Sequence, residues 1–277
     1  MVPTVFQITA TALISVAGLS AGEFVVTYKD TSGTNSHAYA LYSNGGGLSV
    51  GAQTVSGSET FSADTSALAG GSFLIAFSDG ANREGTYIVL DSGGTVTAGP
   101  QIFSTKRCAN ILSSILTTGE YLFVYKDTTD TQNEYLIYEG AALGVLAGPA
   151  VLGDADTSNV SSAALDAGKL VITYSDGGNS NYGTFIVTQY SGGTLTSVAD
   201  ETVFEWATTS YTSVVDLSAV SAGQFLVAYS DGGDGNKGTA VVDDGREYFT
   251  IEKVSDKEAR LHNDTSEILE LILTIYQ

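Results

Sequence analysis

Short runs of large apolar residues recur along most of the chain, and each run ends in an aromatic residue, one further residue and Asp. In the first run, Phe24, Val26 and Tyr28 are spaced at a period of two, which predicts a strand with these side chains on one face. The pattern recurs five times, and the spacings between its final aspartates are 49, 48, 49 and 55 residues; these are Asp30, Asp79, Asp127, Asp176 and Asp231. The chain up to residue 244 is therefore predicted to contain five repeated units.

Other positions repeat in the same register and predict four strands in each unit. A glycine stands eight residues before each aspartate and an aliphatic residue stands eleven before it, as Gly22 and Leu19 do in the first unit. In that unit, the strand that ends at Asp30 is flanked by an inner strand at Leu13–Val16, a third at Tyr39–Tyr42 and a fourth at Leu48–Val55. Such units, with turns rich in Gly and Asp, are typical of β-propellers. One unit is too small to bury both of its faces, so neighbouring units must stack on it.

The two ends of the repeated region predict how a ring of blades would close. Val2–Phe6 aligns with the outer strand Gly99–Phe103, whereas the fifth unit ends at its third strand, Thr239–Val242. We therefore predict an all-β, five-bladed β-propeller over residues 1–244, in which the N-terminal strand completes the last blade and removes a free sheet edge. The alternative occupant of that outer position is Tyr248–Val254.

Residues 245–277 depart from the repeat and carry four of the eleven basic residues. Their pattern predicts three strands, at Tyr248–Val254, Glu258–His262 and Ile268–Tyr276. A meander this short is marginal on its own. We expect it either to cover its own propeller or to serve docking or homo-oligomerisation.

Composition argues against several classes of function. Acidic residues outnumber basic ones 31 to 11, giving a net charge of −20, which disfavours nucleic acid and anionic membranes as partners. The sequence has no apolar run long enough for a membrane span, and its start lacks the basic residues of an export signal. Two histidines, His37 and His262, leave little for a zinc site. We expect no cofactor, no metal and no membrane insertion.

The single cysteine, Cys108, cannot form an internal disulfide. It lies beside Lys106 and Arg107, whose charges would lower the pKa of an exposed thiol. We interpret it as an unreactive free thiol.

The five repeated aspartates precede loops rich in Gly, Ser, Thr and Asn, as in Asp30–Asn35 and Asp231–Asn236. Two interpretations compete. Such oxygen-rich loops could bind calcium, yet none has the full spacing of a calcium-binding loop with its closing Glu. The interpretation we adopt is that each carboxylate caps its own loop by accepting backbone N–H groups.

A glycoside hydrolase would need two carboxylates that converge on one sugar bond, at positions that differ between units. Asp216, in Val214–Leu217, is one such residue, and Asp64 is a weaker candidate. No further acid clearly joins them, so we interpret them as structural and predict that the protein is not an enzyme.

Carbohydrate binding has more support, because aromatic faces, amides and hydroxyls suit sugar recognition. Most tyrosines occupy repeated core positions and are discounted. The candidate ligand-binding residues are those that depart from the repeat: Asn181 and Tyr182 in the fourth loop, and Trp206 and Tyr211 in the unit that carries an insertion. Surface exposure without function, or packing between blades, is the competing interpretation of each.

Three segments carry a resemblance to a known repeat: Ser175–Thr184, Gly99–Phe103 and Val214–Leu217. They resemble the "NYGTA"-type β-propeller repeats of marine bacterial proteins and of bacteriophage structural and tail-fibre proteins. The likeness covers about residues 1–244 and is weaker in units one and three. It implies a virion-associated or cell-surface binding module and brings no catalytic residues.

The sequence thus predicts a non-enzymatic protein of the virion, of the tail-fibre or capsid-decoration type, that presents one propeller face to a host-surface glycan or to another virion protein. The alternatives are a secreted, extracellular bacterial lectin and, less favoured, a five-bladed glycoside hydrolase.

Overall fold

The computed structural model describes residues 11–19, 22–32, 35–43, 46–117, 120–129, 131–139, 144–153, 156–165, 168–191, 194–198, 201–216, 224–243, 249–255, 258–263 and 268–269. Within these ranges the chain is built of β-strands, with short 3-10 turns at Ala69–Gly71 and Gly177–Asn179. No helix among these residues has the length and apolar character needed to cross a membrane.

The strands follow the five predicted units in order. Unit 1 contains β1 (Thr11–Gly18), β2 (Phe24–Asp30), β3 (His37–Tyr42) and β4 (Leu48–Ser56). Unit 2 contains β5 (Thr60–Ala67), β6 (Phe73–Asp79), β7 (Glu84–Leu90) and the first half of β8 (Val96–Thr117). Unit 3 contains the rest of β8, β9 (Glu120–Asp127), β10 (Asn133–Glu139) and β11 (Gly144–Gly153).

Unit 4 contains β12 (Thr157–Ala164), β13 (Lys169–Asp176), β14 (Tyr182–Ser191), the short β15 (Thr194–Ser197) and the first half of β16 (Thr202–Asp216). Unit 5 contains the rest of β16, β17 (Phe225–Asp231) and β18 (Lys237–Asp243). A separate antiparallel sheet follows, with β19 (Phe249–Ser255), β20 (Glu258–Asn263) and β21 (Ile268–Leu269). The first two strands agree with those predicted, and of the predicted third strand only Ile268–Leu269 is described. The predicted N-terminal strand lies outside the described residues.

Two strands are longer than the sequence pattern predicts. Both β8 and β16 begin as the outer strand of one unit and continue, without a break, as the inner strand of the next. The sheets therefore contain four strands (β1–β4), seven strands (β5–β11) and a six-strand path from β12 to β18 with β15 beside it, rather than one separate sheet per unit. At these two junctions the chain passes from one unit to the next with its backbone still extended.

The repeated aspartates fix the register of every unit. The first paired residue of each inner strand lies opposite the aspartate that ends the second strand, in the pairs Thr11–Asp30, Thr60–Asp79, Cys108–Asp127, Thr157–Asp176 and Thr209–Asp231. A register shift follows within three residues in all five inner strands. Such a bulge bends the strand and increases its twist. Four units place a residue with positive φ at this bulge: Leu13, Asn110, Asn159 and Tyr211.

The core is divided into clusters that neighbouring units share. One cluster joins units 1 and 2 around Phe73 and Phe77, and the next joins units 2 and 3 around Phe103 and Phe123. The third and fourth join units 3 and 4 and units 4 and 5. Burying a large apolar side chain is worth roughly 1.5–3 kcal/mol. The prediction that units bury their faces against one another is confirmed for these four contacts.

Hydrogen bonds also connect the inner strands, and Asp64 is the main connector. Ser15 Oγ donates to Asp64 Oδ1 at 2.9 Å, and Ser113 donates to Oδ2 from both its amide, at 2.8 Å, and its hydroxyl, at 3.1 Å. One carboxylate of unit 2 thus holds the inner strands of units 1 and 3. Burial raises the pKa of Asp64, and the bonds from Ser113 and Ser15 oppose that rise.

An aromatic residue of the outer strand packs against a glycine of the third strand in units 2 and 4. A Cβ atom on Gly85 would lie 2.4 Å from the ring of Phe103, and one on Gly183 would lie 2.5 Å from the ring of Phe204. Each ring therefore occupies space that is free only because the residue facing it is glycine. In unit 1 the same two register positions hold His37 and Val55, so a larger residue faces a smaller one.

The insertion of unit 5 does not lie near Trp206. Phe204 precedes the first paired inner residue, Thr209, by five residues, as in the other units. The extra residues fall instead between Asp216 and Phe225, which are partners in the β16–β17 ladder and therefore flank the turn at the opposite end of these strands. Trp206 and Tyr211 thus lie away from the insertion, and their choice as candidate residues depends on their departure from the repeat.

His37 is fully buried, and among the described residues neither ring nitrogen has a hydrogen-bond partner. Its ring stacks on Phe77 of unit 2, with 6.3 Å between centroids. Burial lowers the pKa of His37 from 6.5 to about 4. A charged imidazole is therefore strongly disfavoured at this contact between units.

We predict that acid weakens the fold through His37. Between pH 4 and pH 6.5, His37 is protonated in the unfolded chain and neutral in the folded protein. The free energy of unfolding is therefore highest above about pH 6.5 and falls by about 3 kcal/mol as the pH drops towards 4. Urea unfolding across this range should show the loss in the wild type. His37→Asn, which copies Asn133 at the same register position of unit 3, should reduce the slope. An equal slope in both proteins would contradict the prediction.

Candidate functional site

The loops after the second strands lie at one edge of the units, and the repeated aspartates organise them. Oδ1 of the aspartate accepts the backbone N–H two residues later in four units, at 2.8–2.9 Å, in the pairs Asp30–Ser32, Asp127–Thr129, Asp176–Gly178 and Asp231–Gly233. The loop-capping interpretation is confirmed for these four. Asp79 differs, because its Oδ1 accepts the hydroxyl of Ser56, at the end of β4.

The same loops attach each unit to the next. The Thr60 amide donates to the Asn35 carbonyl at 3.1 Å, and the Cys108 amide donates to the Arg83 carbonyl at 2.8 Å. In the same way, the Thr209 amide donates to the carbonyl of Asn181, which has a φ of +60°. Asn tolerates this left-handed conformation better than most residues. The backbone of Asn181 therefore has a structural role, while its side chain remains at an exposed position.

Two of the candidate residues meet at this edge. Tyr182 begins β14 and lies opposite Thr208 of β16, where the register shifts and Trp206 stands in the bulge. The rings of Tyr182 and Trp206 form an edge-to-face pair with centroids 5.7 Å apart. Trp206 remains 63% exposed, so most of the indole faces solvent although Tyr182 holds one side of it. Asn181 adjoins this pair through the chain.

Tyr211 is placed differently. It is 82% exposed and lies further along β16, at the inner-strand bulge, with a φ of +54°. Within the described part of the chain it makes no ring contact with Tyr182 or Trp206. Leu13, Asn110 and Asn159 have a similar positive φ at the same bulge, so this backbone conformation belongs to the repeat and does not by itself single out Tyr211.

Glu205 supports the bulge beneath Trp206. One carboxylate oxygen accepts the amide of Ala207 at 3.0 Å, and the other accepts the hydroxyl of Tyr229 at 2.9 Å. Burial, followed by the nearby Glu205, raises the pKa of Tyr229. Glu205 was not among the residues selected from the sequence, although its position directly after the repeated outer-strand aromatic was a usable signal.

The site also offers polar groups that suit a sugar. The Thr208 hydroxyl, on the residue opposite Tyr182, contacts the Ser180 carbonyl at 3.5 Å, and both residues are exposed. Hydroxyl and amide groups beside an open indole can bind sugar hydroxyls while the ring contacts C–H groups. The Tyr182–Trp206 pair, with Asn181 and Thr208, is therefore the candidate binding surface.

A second aromatic residue of this edge is not open in the same way. Phe61 stands where the other inner strands carry Ala or Ser, and it was not among the residues selected from the sequence. The guanidinium carbon of Arg83 lies 3.7 Å from the centre of its ring, and the Lys29 ammonium lies 5.4 Å away. Its ring is therefore already occupied by cations of the chain itself.

The candidate catalytic carboxylates do not form a pair that the structure describes. Both oxygens of Asp64 are engaged by Ser15 and Ser113. Asp216 ends β16, and its side chain lies outside the described residues. Within the described ranges, no group of three or more His, Cys, Asp or Glu residues is arranged to hold a metal ion.

Comparison with known proteins shows which fold the chain is similar to. No protein-family model and no curated protein matches the chain. The chain is similar to the solved structure of the SapL1 lectin in complex with α-methyl fucoside, with a TM-score of 0.58, 14% identity, and coverage of 84% of this chain and 76% of that one.

Two further solved structures extend this likeness. One is a fucose-recognising lectin of Aleuria aurantia described as a six-bladed β-propeller, with a TM-score of 0.53, 10% identity, and coverage of 94% of this chain and 79% of that one. The other is an endo-arabinase of Bacteroides thetaiotaomicron, with a TM-score of 0.50, 12% identity, and coverage of 84% and 93%. At these identities the likeness shows the fold alone, which is all-β and propeller-like.

Cys108 behaves as the sequence analysis expected of an inert thiol, but for a different reason. It is completely buried between units 2 and 3, and burial raises the pKa of its thiol to about 11. The neighbouring Lys106 does not activate it, because its ammonium is bound by Glu134 at 2.6 Å and by Asp127 at 2.9 Å.

We predict that Cys108 in the folded protein reacts very slowly with an aromatic disulfide reagent at pH 8, because the thiolate is both scarce and inaccessible. In denaturant the same thiol should react completely within the mixing time of a manual assay. A native rate close to that of the unfolded chain would contradict the burial of this residue.

Proposed function

We propose that the protein is a non-enzymatic, carbohydrate-binding β-propeller with five blades, and that the surface formed by Asn181, Tyr182, Trp206 and Thr208 is its ligand site. The observation that carries the proposal is Trp206, which is 63% exposed while Tyr182 braces it edge to face. An exposed indole that neighbouring residues hold in place is a recurrent feature of recognition surfaces.

The five-bladed arrangement is supported by the repeat itself. Each unit aligns on its aspartate, and each of the four contacts between consecutive units has its own apolar cluster. Hydrogen bonds from inner strand to inner strand run in the same order as the units, as in Ile111 to Ser62 and Val214 to Ser161. Five equivalent units stacked in this way correspond to five blades.

The ligand we propose is a neutral sugar. The chain has a net charge of −20, and the candidate surface is flanked by Glu205 and by the capping carboxylate of Asp176. An anionic sugar would meet repulsion at this surface. The lectin neighbours, which bind or recognise fucose, agree with a neutral sugar as ligand.

A glycoside hydrolase is the second candidate, and the endo-arabinase neighbour favours it. The occupied oxygens of Asp64 support the non-enzymatic alternative, because a carboxylate held by Ser15 and Ser113 has no free oxygen for a sugar. We predict that the protein releases no reducing sugar from arabinan, fucosylated or sialylated substrates. Release that Asp216→Asn abolishes, in a protein that stays folded, would overturn this part of the proposal.

The location of the protein stays a prediction. A virion role, in a tail fibre or as a decoration protein, depends on the resemblance to the "NYGTA"-type repeats, and an extracellular lectin is the alternative. Binding to other virion proteins and homo-oligomerisation through residues 245–277 likewise stay predictions.

The binding test uses Trp206. The wild type should bind at least one neutral oligosaccharide on an array that includes fucosides, and Trp206→Ala should weaken that binding about tenfold or more, because it removes the main aromatic face. Val198→Ala, which truncates another exposed apolar side chain, should leave the affinity unchanged. The affinities of the wild type, Trp206→Ala and Val198→Ala for that glycan are measured by calorimetry. Equal affinity of the wild type and Trp206→Ala would locate the sugar elsewhere, and absence of any bound glycan would reject the function.

A further inference from the structure

The candidate binding surface has a counterpart at the junction of units 2 and 3. Both surfaces lie where a long strand passes from one unit into the next, along β16 for the candidate surface and along β8 for its counterpart. Tyr182 lies opposite Thr208 in the first, and Glu84 lies opposite Arg107 in the second. Tyr182 and Glu84 are also equivalent in the repeat, because each lies opposite the repeated aspartate of its unit.

The backbone is arranged in the same way at the two junctions. The Cys108 amide donates to the Arg83 carbonyl at 2.8 Å, and the Thr209 amide donates to the Asn181 carbonyl at 2.9 Å. Arg83 and Asn181 both have positive φ, at +57° and +60°. The two surfaces therefore have equivalent positions, and the side chains at these positions set their chemistry.

The side chains of the counterpart are charged and polar rather than aromatic. The positions equivalent to Asn181, Tyr182, Trp206 and Thr208 hold, in the same order, Arg83, Glu84, Thr105 and Arg107. We call these last four residues the arginine surface. Thr105 and Arg107 are exposed, and Arg83 and Glu84 are half-buried.

Arg83 is not the residue that the repeat favours at its position. The equivalent residue is asparagine in three units, Asn35, Asn181 and Asn236, and all three have positive φ. Asparagine adopts this left-handed conformation more readily than arginine. The backbone alone therefore does not account for an arginine here.

The guanidinium of Arg83 is held in place without the use of its hydrogen-bond donors. Its carbon lies 3.7 Å from the centre of the Phe61 ring, and a cation in this position is attracted by the face of the ring. Phe61 is itself a departure from the repeat. Among the residues that the structure describes, none accepts a hydrogen bond from this guanidinium. Its N–H donors can therefore bind the oxygens of an anion.

Arg107 supplies a second guanidinium on the same surface. Within the described ranges its side chain makes no hydrogen bond or ion pair, although its Cα lies opposite that of Glu84. The contact between Arg83 and Phe61 does not involve Arg107. A purely structural role for that contact therefore leaves Arg107 unexplained.

The charges around the arginine surface balance one another, whereas the whole chain has a net charge of −20. Three cations and three carboxylates lie here: Lys29, Arg83, Arg107, Glu59, Asp79 and Glu84. Glu59 binds the Lys29 ammonium at 3.5 Å, and Asp79 accepts the Ser56 hydroxyl. The two guanidiniums are thus left with the carboxylate of Glu84. More distant acidic groups are screened, because the Debye length is about 8 Å at physiological salt.

We propose that the arginine surface binds an anionic group of a ligand, either a carboxylate or a sulfate ester, through Arg83 and Arg107. A guanidinium can donate two parallel N–H bonds to two oxygens of such a group. Thr105, two residues before Arg107 in β8, adds a hydroxyl donor. The arginine surface shares no residue with the candidate binding surface, so this site does not depend on the proposed binding of a neutral sugar.

Calorimetric titration with three methyl glycosides tests the site. The ligands are a glucuronide, which carries a carboxylate, a sulfated galactoside, and an uncharged glucoside as the control. The wild type should bind at least one of the charged sugars, and a comparison of the two distinguishes the carboxylate from the sulfate. Their affinity should fall as salt is added, because the contact is ionic. The uncharged glucoside should not displace them.

Substitutions then assign the binding to the two arginines. Arg83→Gln and Arg107→Gln should each weaken binding of the charged sugar about tenfold or more. Lys169→Gln is the matched control, because it removes one positive charge from an exposed residue that begins β13, at the end of the strand away from the loop edge. Arg83→Lys keeps the charge but loses the planar pair of donors, so it should also bind more weakly than the wild type.

The proposal is overturned if neither charged sugar binds, or if Lys169→Gln weakens binding as much as the two arginine substitutions do. Equal affinity of the wild type and Arg83→Lys would overturn the paired contact with that guanidinium. Arg107→Gln tests the site even where Arg83→Gln disturbs the contact with Phe61. Trp206→Ala should leave binding of the charged sugar unchanged, so failure of this site and failure of the neutral-sugar site are seen separately.

Discussion

The structure depends on one constraint: no unit can bury its own apolar faces. Strand β9 illustrates it, because Phe123 belongs to the cluster shared with unit 2 while Leu122 and Val124 belong to the cluster shared with unit 4. Alternation along a single strand therefore supplies core to two different neighbours. A substitution in such a strand affects the contact between units as much as the sheet that contains it, and the stability of any unit includes that of its neighbours.

The same constraint explains where the polar bonds lie. Packing of apolar side chains holds the faces of the units together but does not fix their register, because dispersion and burial are not directional. The directional bonds occur at the inner strands and loops, where Asp64 binds Ser15 and Ser113 and where the Thr209 amide donates to the Asn181 carbonyl. Apolar contact thus supplies most of the stability, and these polar contacts position each unit on the next.

Much of this architecture follows from the sequence because the repeat gives five independent readings of one pattern. The strand ends, the loop-capping aspartates and the stacking of units are all visible in the alignment of Asp30 with its four counterparts. The continuity of β8 and β16 was not predictable, because hydrophobic periodicity reports which residues share a face and not whether the chain bends between two faces. The burial of Cys108 was also missed, since neighbouring charges in the sequence do not reveal where Lys106 directs its ammonium.

The candidate site was predictable in part, and the reason lies in how the loop edge is built. The register position opposite each repeated aspartate has no fixed side-chain role, because the backbone alone completes the loop there. It is occupied by unrelated residues in the five units: Ser36, Glu84, Gln132, Tyr182 and Lys237. Sequence comparison within the chain therefore identifies Tyr182 as unusual. Only the structure shows that the ring of Trp206, on a different strand, has its centroid 5.7 Å from that of the Tyr182 ring and remains exposed to solvent. A symmetric scaffold whose loops are capped by backbone bonds leaves such edge positions free to vary, and an asymmetric binding surface can arise there without disturbing the shared core.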